Sequence, residues 1–183
     1  MIDGDLKQTD LVRRYLEKRT CTELIDPVLE ALGWTEDLGT REETFIHIRD
    51  GRRRRVDYAL YVQPQNTDQL VLVALLEAKH EGLPADRGLT QVKNYAAGRR
   101  ERIRFVFSTN GHHFVQYDRY TKIQSDLCSL DCFPTPDKLV EQLAKSRQCE
   151  LRRSGISIYA HVVAVWVPGC AQASHRQNAG PHH

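Results

Sequence analysis

Apolar side chains recur at helical spacing through residues 10–32, at Leu11, Tyr15 and Leu16, then at Leu24, Ile25, Val28, Leu29 and Leu32. Steps of three and four place such residues on one stripe of a helix. Thr9 or Asp10 supplies an N-cap and Gly33 a stop. Pro27 removes one ladder donor, so the stretch is either one kinked helix or two in succession. The period then changes to two. Residues 43–49 and 55–62 read as strands joined by Asp50-Gly51, and in the second Val56, Tyr58, Leu60 and Val62 alternate with residues of the other face. The nearly continuous apolar run 69–78 predicts a strand covered on both sides. After Gly82 and Pro84 comes a helix to about residue 97, bounded by Gly98, and then the strand Ile103–Ser108. Asn110-Gly111 turns it back into Phe114–Tyr117. Residues 121–133 add an edge strand, and Pro136 opens a short helix through about Lys145. This order predicts an α/β fold with a central mixed sheet flanked by helices.

The pattern weakens near residue 148, which divides the chain into a folded domain over 1–147 and an extension over 148–183. Within the extension, 157–167 is strand-like, whereas 169–183 is small, polar and expected to be disordered. The length of 183 residues fits one ordinary domain with some excess, and 40% apolar with 27% charged residues is a globular composition. No apolar stretch reaches the roughly 20 residues of a membrane span. The polar N-terminus lacks the apolar core of a secretory signal, so a cytoplasmic protein is expected. Five cysteines without a CxxC pair predict reduced thiols rather than a disulfide framework or a zinc knuckle. A net charge of +2 conceals two basic segments, Arg52–Arg55 and the group Arg99, Arg100, Arg102 and Arg104.

The residues with chemistry are Asp57 on one strand, Glu77-Ala78-Lys79 at the end of the next, and Gln91 with Tyr95 on the following helix. Residues two apart on a strand share a face, so Glu77 and Lys79 point together. If strands 55–62 and 69–79 pair, Asp57 comes beside Glu77. Two close carboxylates repel, and a hard cation such as magnesium, with manganese as a substitute, reverses that cost. Asp57 and Glu77 are then the metal-holding side chains, and Ala78, although its side chain faces the other way, is expected as a third metal position. Lys79 is left to orient or help deprotonate a nucleophilic water. A D…ExK pattern in isolation is degenerate and more often marks surface acids. Here it closes a central-strand run, LVLVALLEAK, at the carboxyl end where open α/β sheets place their sites.

The blocks LIDPVLEALGW (24–34), RRVDYALYV (54–62), LLEAKH (75–80), QVKNYA (91–96), FVFSTNGHHFVQYD (105–118) and FPTPDKL (133–139) occur in one order. In that order the chain, over residues 8–145, resembles the N-terminal nuclease domain of type I restriction enzyme restriction subunits, a branch of the PD-(D/E)XK nucleases. The resemblance implies a PD-(D/E)XK nuclease-like fold and a magnesium-dependent DNA endonuclease acting on double-stranded DNA, with other restriction-modification subunits as partners. It places Asp57, Glu77 and Lys79 on the family's catalytic triad, Gln91 and Tyr95 on its QxxxY motif, and Glu17 on its helix carboxylate. That family follows the acid with Thr-Arg, whereas here Thr20 precedes Cys21, so Glu23 stays open as a substitute for Glu17.

Arg52, Arg53, Arg54 and Arg55 lie between two predicted strands, either as a solvated turn or as a clamp on DNA phosphates. His112 and His113 follow the Asn110-Gly111 turn, exposed or in reach of DNA. No GxxxxGK[ST] loop occurs, so neither ATP binding nor DNA pumping is expected of this sequence. Rival readings are a non-catalytic DNA-binding or assembly module, or the remnant of a truncated restriction subunit.

Overall fold

The apolar run after residue 70 becomes the third of seven strands in one sheet, and every later feature is arranged around it. The structure is a computed structural model that describes residues 3–63 and 68–153, with side chains over 8–63 and 68–145. The strands are β1 Gly39–Ile46, β2 Arg53–Val62, β3 Val71–Ala78, β4 Phe105–Thr109, β5 His113–Asp118, β6 Ile123–Gln124 and β7 Cys128–Ser129. The sheet runs β1-β2-β3-β4-β5-β6, with β7 also on β5. Among the described strands only β3 and β4 pair in parallel. Their crossover passes through a 3-10 turn, Ala85–Gly88, and the helix α3, Leu89–Ala97. The sheet is therefore mixed, mostly antiparallel and flanked by helices. Its core is two-sided. Leu89, Val92 and Ala96 of α3 pack on Val56, Leu75, Val106 and Val115. Phe107 alternates with Val106 and so faces the other way, where its ring meets Phe114 at 6.0 Å and Phe133 at 4.6 Å.

The N-terminal helical stretch departs from its expected form in an informative way. Helix α1 begins at Asp3 rather than after Thr9 or Asp10, and ends at Thr20. A π-helical turn, Cys21–Ile25, follows, closed by the Asp26 N–H on the Cys21 carbonyl, before α2, Asp26–Ala31. The wide turn sets Pro27 in the first turn of α2, where its missing donor costs nothing. It also inserts a residue into the ladder, so the stripe read through residues 10–32 is two stripes of different phase. Ile25 and Leu29 are buried, whereas Leu11 and Tyr15 are exposed.

Strand β1 starts and stops earlier than the expected 43–49, because the turn begins at His47. Gly51 donates to the His47 carbonyl at 2.8 Å, and Asp50 Oδ1 accepts the Arg52 N–H at 3.0 Å. The Arg52–Arg55 run is consequently not a loop, since Arg53, Arg54 and Arg55 open β2. The expected edge strand over 121–133 is two short strands and a 3-10 turn, Leu130–Cys132. Helix α4, Pro136–Arg153, outruns its expected end at Lys145. The chain divides into one unit over Met1–Glu141, which holds the sheet, and a second over Gln142–His183, described only through Arg153. The first residues of the expected extension, 148–153, belong to α4, whereas the strand-like run 157–167 and the tail lie outside the described residues. No described helix is long and apolar enough to cross a membrane.

At Gly111, φ is +88°, the left-handed backbone a hairpin turn needs, and an added Cβ would lie 2.8 Å from Leu24 Cδ1 and 2.9 Å from Thr20 Cγ2. Gly51 shares the positive φ, +66°, but has nothing within 4 Å of such a Cβ. Gly111→Ala should therefore cost about 1–3 kcal/mol more than Gly51→Ala in urea unfolding, because overpacking adds to the shared backbone strain. Equal losses would mean that the helical stretch is not packed on this hairpin.

Candidate active site

The site forms because two chemically different strands meet at the carboxyl end of β3. Extending the Tyr58–Leu76 register by one pair sets Asp57 opposite Glu77, and the parallel pairing sets Glu77 beside Ser108. Glu77 is only 3% exposed. Its Oε1 accepts Lys79 Nζ at 2.7 Å, while its Oε2 is buried without a partner among the described residues. Asp57 Oδ2 accepts the Ala78 N–H at 2.8 Å. The Lys79 N–H donates to the Thr109 carbonyl at 2.8 Å, which fixes the strand end that carries the amine.

The space for Glu77 depends on a glycine that sequence reading passed over. A Cβ on Gly88 would sit 2.8 Å from Glu77 Cγ and 2.7 Å from Ser108 Oγ. Ser108 Oγ in turn accepts the Gly88 N–H at 3.0 Å and donates to the Ala85 carbonyl at 2.5 Å. These bonds bring the start of α3 against β3, so that α3 delivers Gln91 and Tyr95. Lys79 Nζ donates to Gln91 Oε1 at 3.3 Å, and Gln91 Nε2 donates to the Tyr95 hydroxyl at 2.9 Å. The amide is oriented by a donor on one side and an acceptor on the other.

Burial pushes the Glu77 carboxyl up to about 8, helped by the Asp57 charge and opposed by Lys79. Burial also raises Asp57, against the pull of the Ala78 N–H and Lys79. For Lys79, desolvation works downward but the surrounding carboxylates, Glu77 first, carry the amine above its ordinary value. Tyr95 is raised by burial and by Glu77. All four shifts run upward, as expected around an acid pair short of positive charge.

A cavity of about 690 Å³ opens above this pair. Glu17, Arg13 and Arg14 line it from α1, Arg53, Arg54 and Arg55 from β2, and His80, Leu83 and Arg87 from the segment after β3, with Asp57, Glu77, Lys79, Gln91 and Tyr95 completing it. Glu17 Oε1 lies 3.8 Å from Lys79 Nζ. Glu23 pairs instead with Arg19 at 3.5 Å and is not among the lining residues. Helix α1 is secured there by Thr20, whose Oγ1 accepts the Glu81 N–H at 3.2 Å, and by Arg19 on Glu81 at 2.8 Å. Arg52 stays outside the lining, Arg54 is tied to Asp50 at 2.8 Å, Arg55 approaches Glu42 at 3.5 Å, and Arg53 is exposed. The second basic segment is largely committed elsewhere. Arg99 pairs with Glu43 at 2.5 Å and with Glu101 at 3.2 Å, and Arg104 pairs with Asp118 at 2.5 Å. His112 sits 3.5 Å from Glu81, and neither it nor His113 lines the cavity.

Sequence reading missed Arg13, Arg14, His80 and Arg87 as well as Gly88. The first two were recoverable, since they stand four and three residues before Glu17 and so share its helix face. Arg87 and Gly88 became neighbours of the acids only through the crossover. Among the described residues no three histidine, cysteine or acidic side chains form a metal-holding group. The donor set still fits magnesium, which is held through one or two carboxylates with waters and substrate phosphate completing its shell. The orphaned, buried Oε2 of Glu77 is the atom that such a cation would satisfy.

No family model and no curated protein matches the chain. Among solved structures it is similar to a fragment of a putative HsdR subunit of a type I restriction enzyme from Vibrio vulnificus YJ016, with 30% identity and a TM-score of 0.57. The match covers 72% of this chain and 26% of that one, so the chain spans about a quarter of the relative's length. That likeness supports the mixed, nuclease-like sheet and a relation between this chain and the restriction subunit.

Proposed function

We propose that the chain hydrolyses phosphodiester bonds of double-stranded DNA as a magnesium-dependent endonuclease, within or derived from a restriction-modification system whose other subunits are its partners. The observation that carries this reading is the buried Glu77 beside half-buried Asp57, held by Lys79 and open to a cavity walled by arginines. An acid pair with one buried, unsatisfied oxygen is costly as pure structure, and a cation with a phosphate removes the cost. The relation to a restriction subunit points to DNA as the source of that phosphate.

Asp57 and Glu77 would hold magnesium or manganese, and Ala78 would add its carbonyl oxygen while its N–H orients Asp57. The ion would supply Lewis acidity at the phosphate and a more acidic bound water. Lys79, kept in place by Gln91 when a cation draws on Glu77, orients the attacking water and faces the charge developing on phosphorus. Tyr95 holds Gln91, and Glu17 sets the charge on the far side of the amine. Arg53, Arg54 and Arg55 pair with backbone phosphates beside the scissile one, with Arg52 further out.

Plasmid nicking should appear with magnesium or manganese, vanish with chelator, and be abolished by Lys79→Ala. Equal nicking by the variant would assign the activity to another site or to a contaminant.

The pH dependence has a definite sign. In the folded, metal-free chain Glu77 keeps its proton up to about pH 8, whereas the unfolded chain releases it near 4.5. The folded state binds more protons between those values, so its stability falls as pH rises through them. A cation competes with the same proton, so metal affinity should climb toward pH 8 and then level. Glu77→Gln should remove most of both trends, read by calorimetry with manganese and by thermal melts. A wild-type affinity independent of pH would remove Glu77 from the metal site.

Arg53→Ala with Arg54→Ala should weaken DNA binding for all sequences alike and flatten the log-log salt dependence by roughly one unit per lost phosphate contact. Metal affinity should not change. An unaltered slope would make the run a solvated strand end.

A further inference from the structure

His80 follows Lys79 directly and lines the same cavity, yet it has no part in the acid–lysine chain. Its ring is held in one orientation. Nδ1 accepts the Gly82 N–H at 3.1 Å, and the Leu83 N–H closes a turn on the His80 carbonyl at 2.9 Å. The ring rests on the Gly82 backbone so closely that a Cβ there would stand 3.1 Å from Cε1 and 3.3 Å from Nδ1. A main-chain amide can only donate, so Nδ1 must be the unprotonated nitrogen and the ring proton sits on Nε2. Nε2 has no partner among the described residues. That N–H stands at the edge of a cavity walled by Arg87 and Arg53–Arg55, where a phosphate drawn in by their charge would meet an oriented donor.

We propose that His80 is a substrate-binding residue whose Nε2–H donates to a non-bridging oxygen of a polynucleotide phosphate at the site. This rests on the phosphodiesterase reading above and extends it. The arginines attract any phosphate by charge, whereas a single fixed donor next to Lys79 selects a position along the backbone. It registers the scissile phosphate over Glu77. A turn built as His80-Glu81-Gly82-Leu83 is what holds the donor, and Gly82 leaves the ring the room that a side chain there would narrow.

The full chain is tested with a fluorescent DNA duplex in chelator, so that binding is read without metal or turnover, and then in the nicking assay. His80→Ala should weaken binding about tenfold or more, the range of a hydrogen bond to a charged acceptor. The salt slope should keep its wild-type value, because a neutral donor displaces no counterion. Two further substitutions separate binding from turn formation. His80→Asn keeps a side-chain acceptor for the Gly82 N–H but places no donor at the Nε2 position, and should bind as weakly as His80→Ala. His80→Gln reaches that position with an amide N–H and should recover part of the loss. Full recovery by His80→Asn, or wild-type affinity in His80→Ala, would overturn the proposal and leave the ring as a turn brace. The nuclease reading fails separately. If the wild type binds DNA but never nicks, and His80→Ala still binds less tightly at an unchanged slope, His80 keeps its phosphate and only the hydrolysis is lost.

Discussion

The structure turns on one costly placement, a Glu77 carboxylate sunk at the end of the central strand with Asp57 across the register. A carboxylate in that position is disfavoured by desolvation and by its neighbour's charge, and the carboxyl is accordingly driven up to about 8. Much of the surrounding architecture accommodates it. Lys79 bonds one oxygen, Gly88 yields the room that a side chain would occupy, and Ser108 ties the crossover to β4 so that the room persists. Stability alone gives no reason to retain such a pair, since apolar residues of similar volume would cost less.

The elements around the pair divide the labour by rigidity. Strands β2 and β3 fix the acids to within the precision of a hydrogen-bonded ladder, and α3 adds the Gln91–Tyr95 chain that holds the lysine amine. Helix α1 is fastened through Thr20 and Arg19 to the loop that follows Lys79, and through the close approach of Gly111 to Thr20 and Leu24. Glu17 therefore reaches the site from a helix that the site's own loop holds in place. The arginines stand at the rim, where hydration keeps their charge inexpensive and where a polyanion would first arrive.

A relation to a restriction subunit and a cavity with this chemistry are mutually consistent, but they speak to different levels. The likeness covers about a quarter of the relative's length and bears on fold and ancestry. The acid pair, the bridging lysine and the fixed histidine bear on what the cavity can bind. The proposed hydrolysis would rest on the second, with Glu77 giving up its proton and its lysine contact to a cation.

Read alone, the sequence determined the central strands and their succession along the chain, because alternation in 55–62, the unbroken apolar run 69–78 and the Asn110-Gly111 turn are local signals with local causes. It made a meeting of Asp57 with Glu77 conditional on the two strands pairing, and the register shift between Leu60 and Tyr61, which no local signal specified, is what sets them opposite; the face shared by Gln91 and Tyr95 follows from helix periodicity. It did not reveal the phase break at Cys21–Ile25, which a single proline suggested but could not specify, and so misassigned Leu11 and Tyr15 to the buried stripe. The choice of Glu17 over Glu23, the loss of Arg99 and Arg104 to internal ion pairs, and the arrival of Arg87 and Gly88 at the site were decided by tertiary structure. Each depends on which distant segment lies opposite, and that is set by packing of the crossover and of α1 against the sheet rather than by any pattern within a window of sequence.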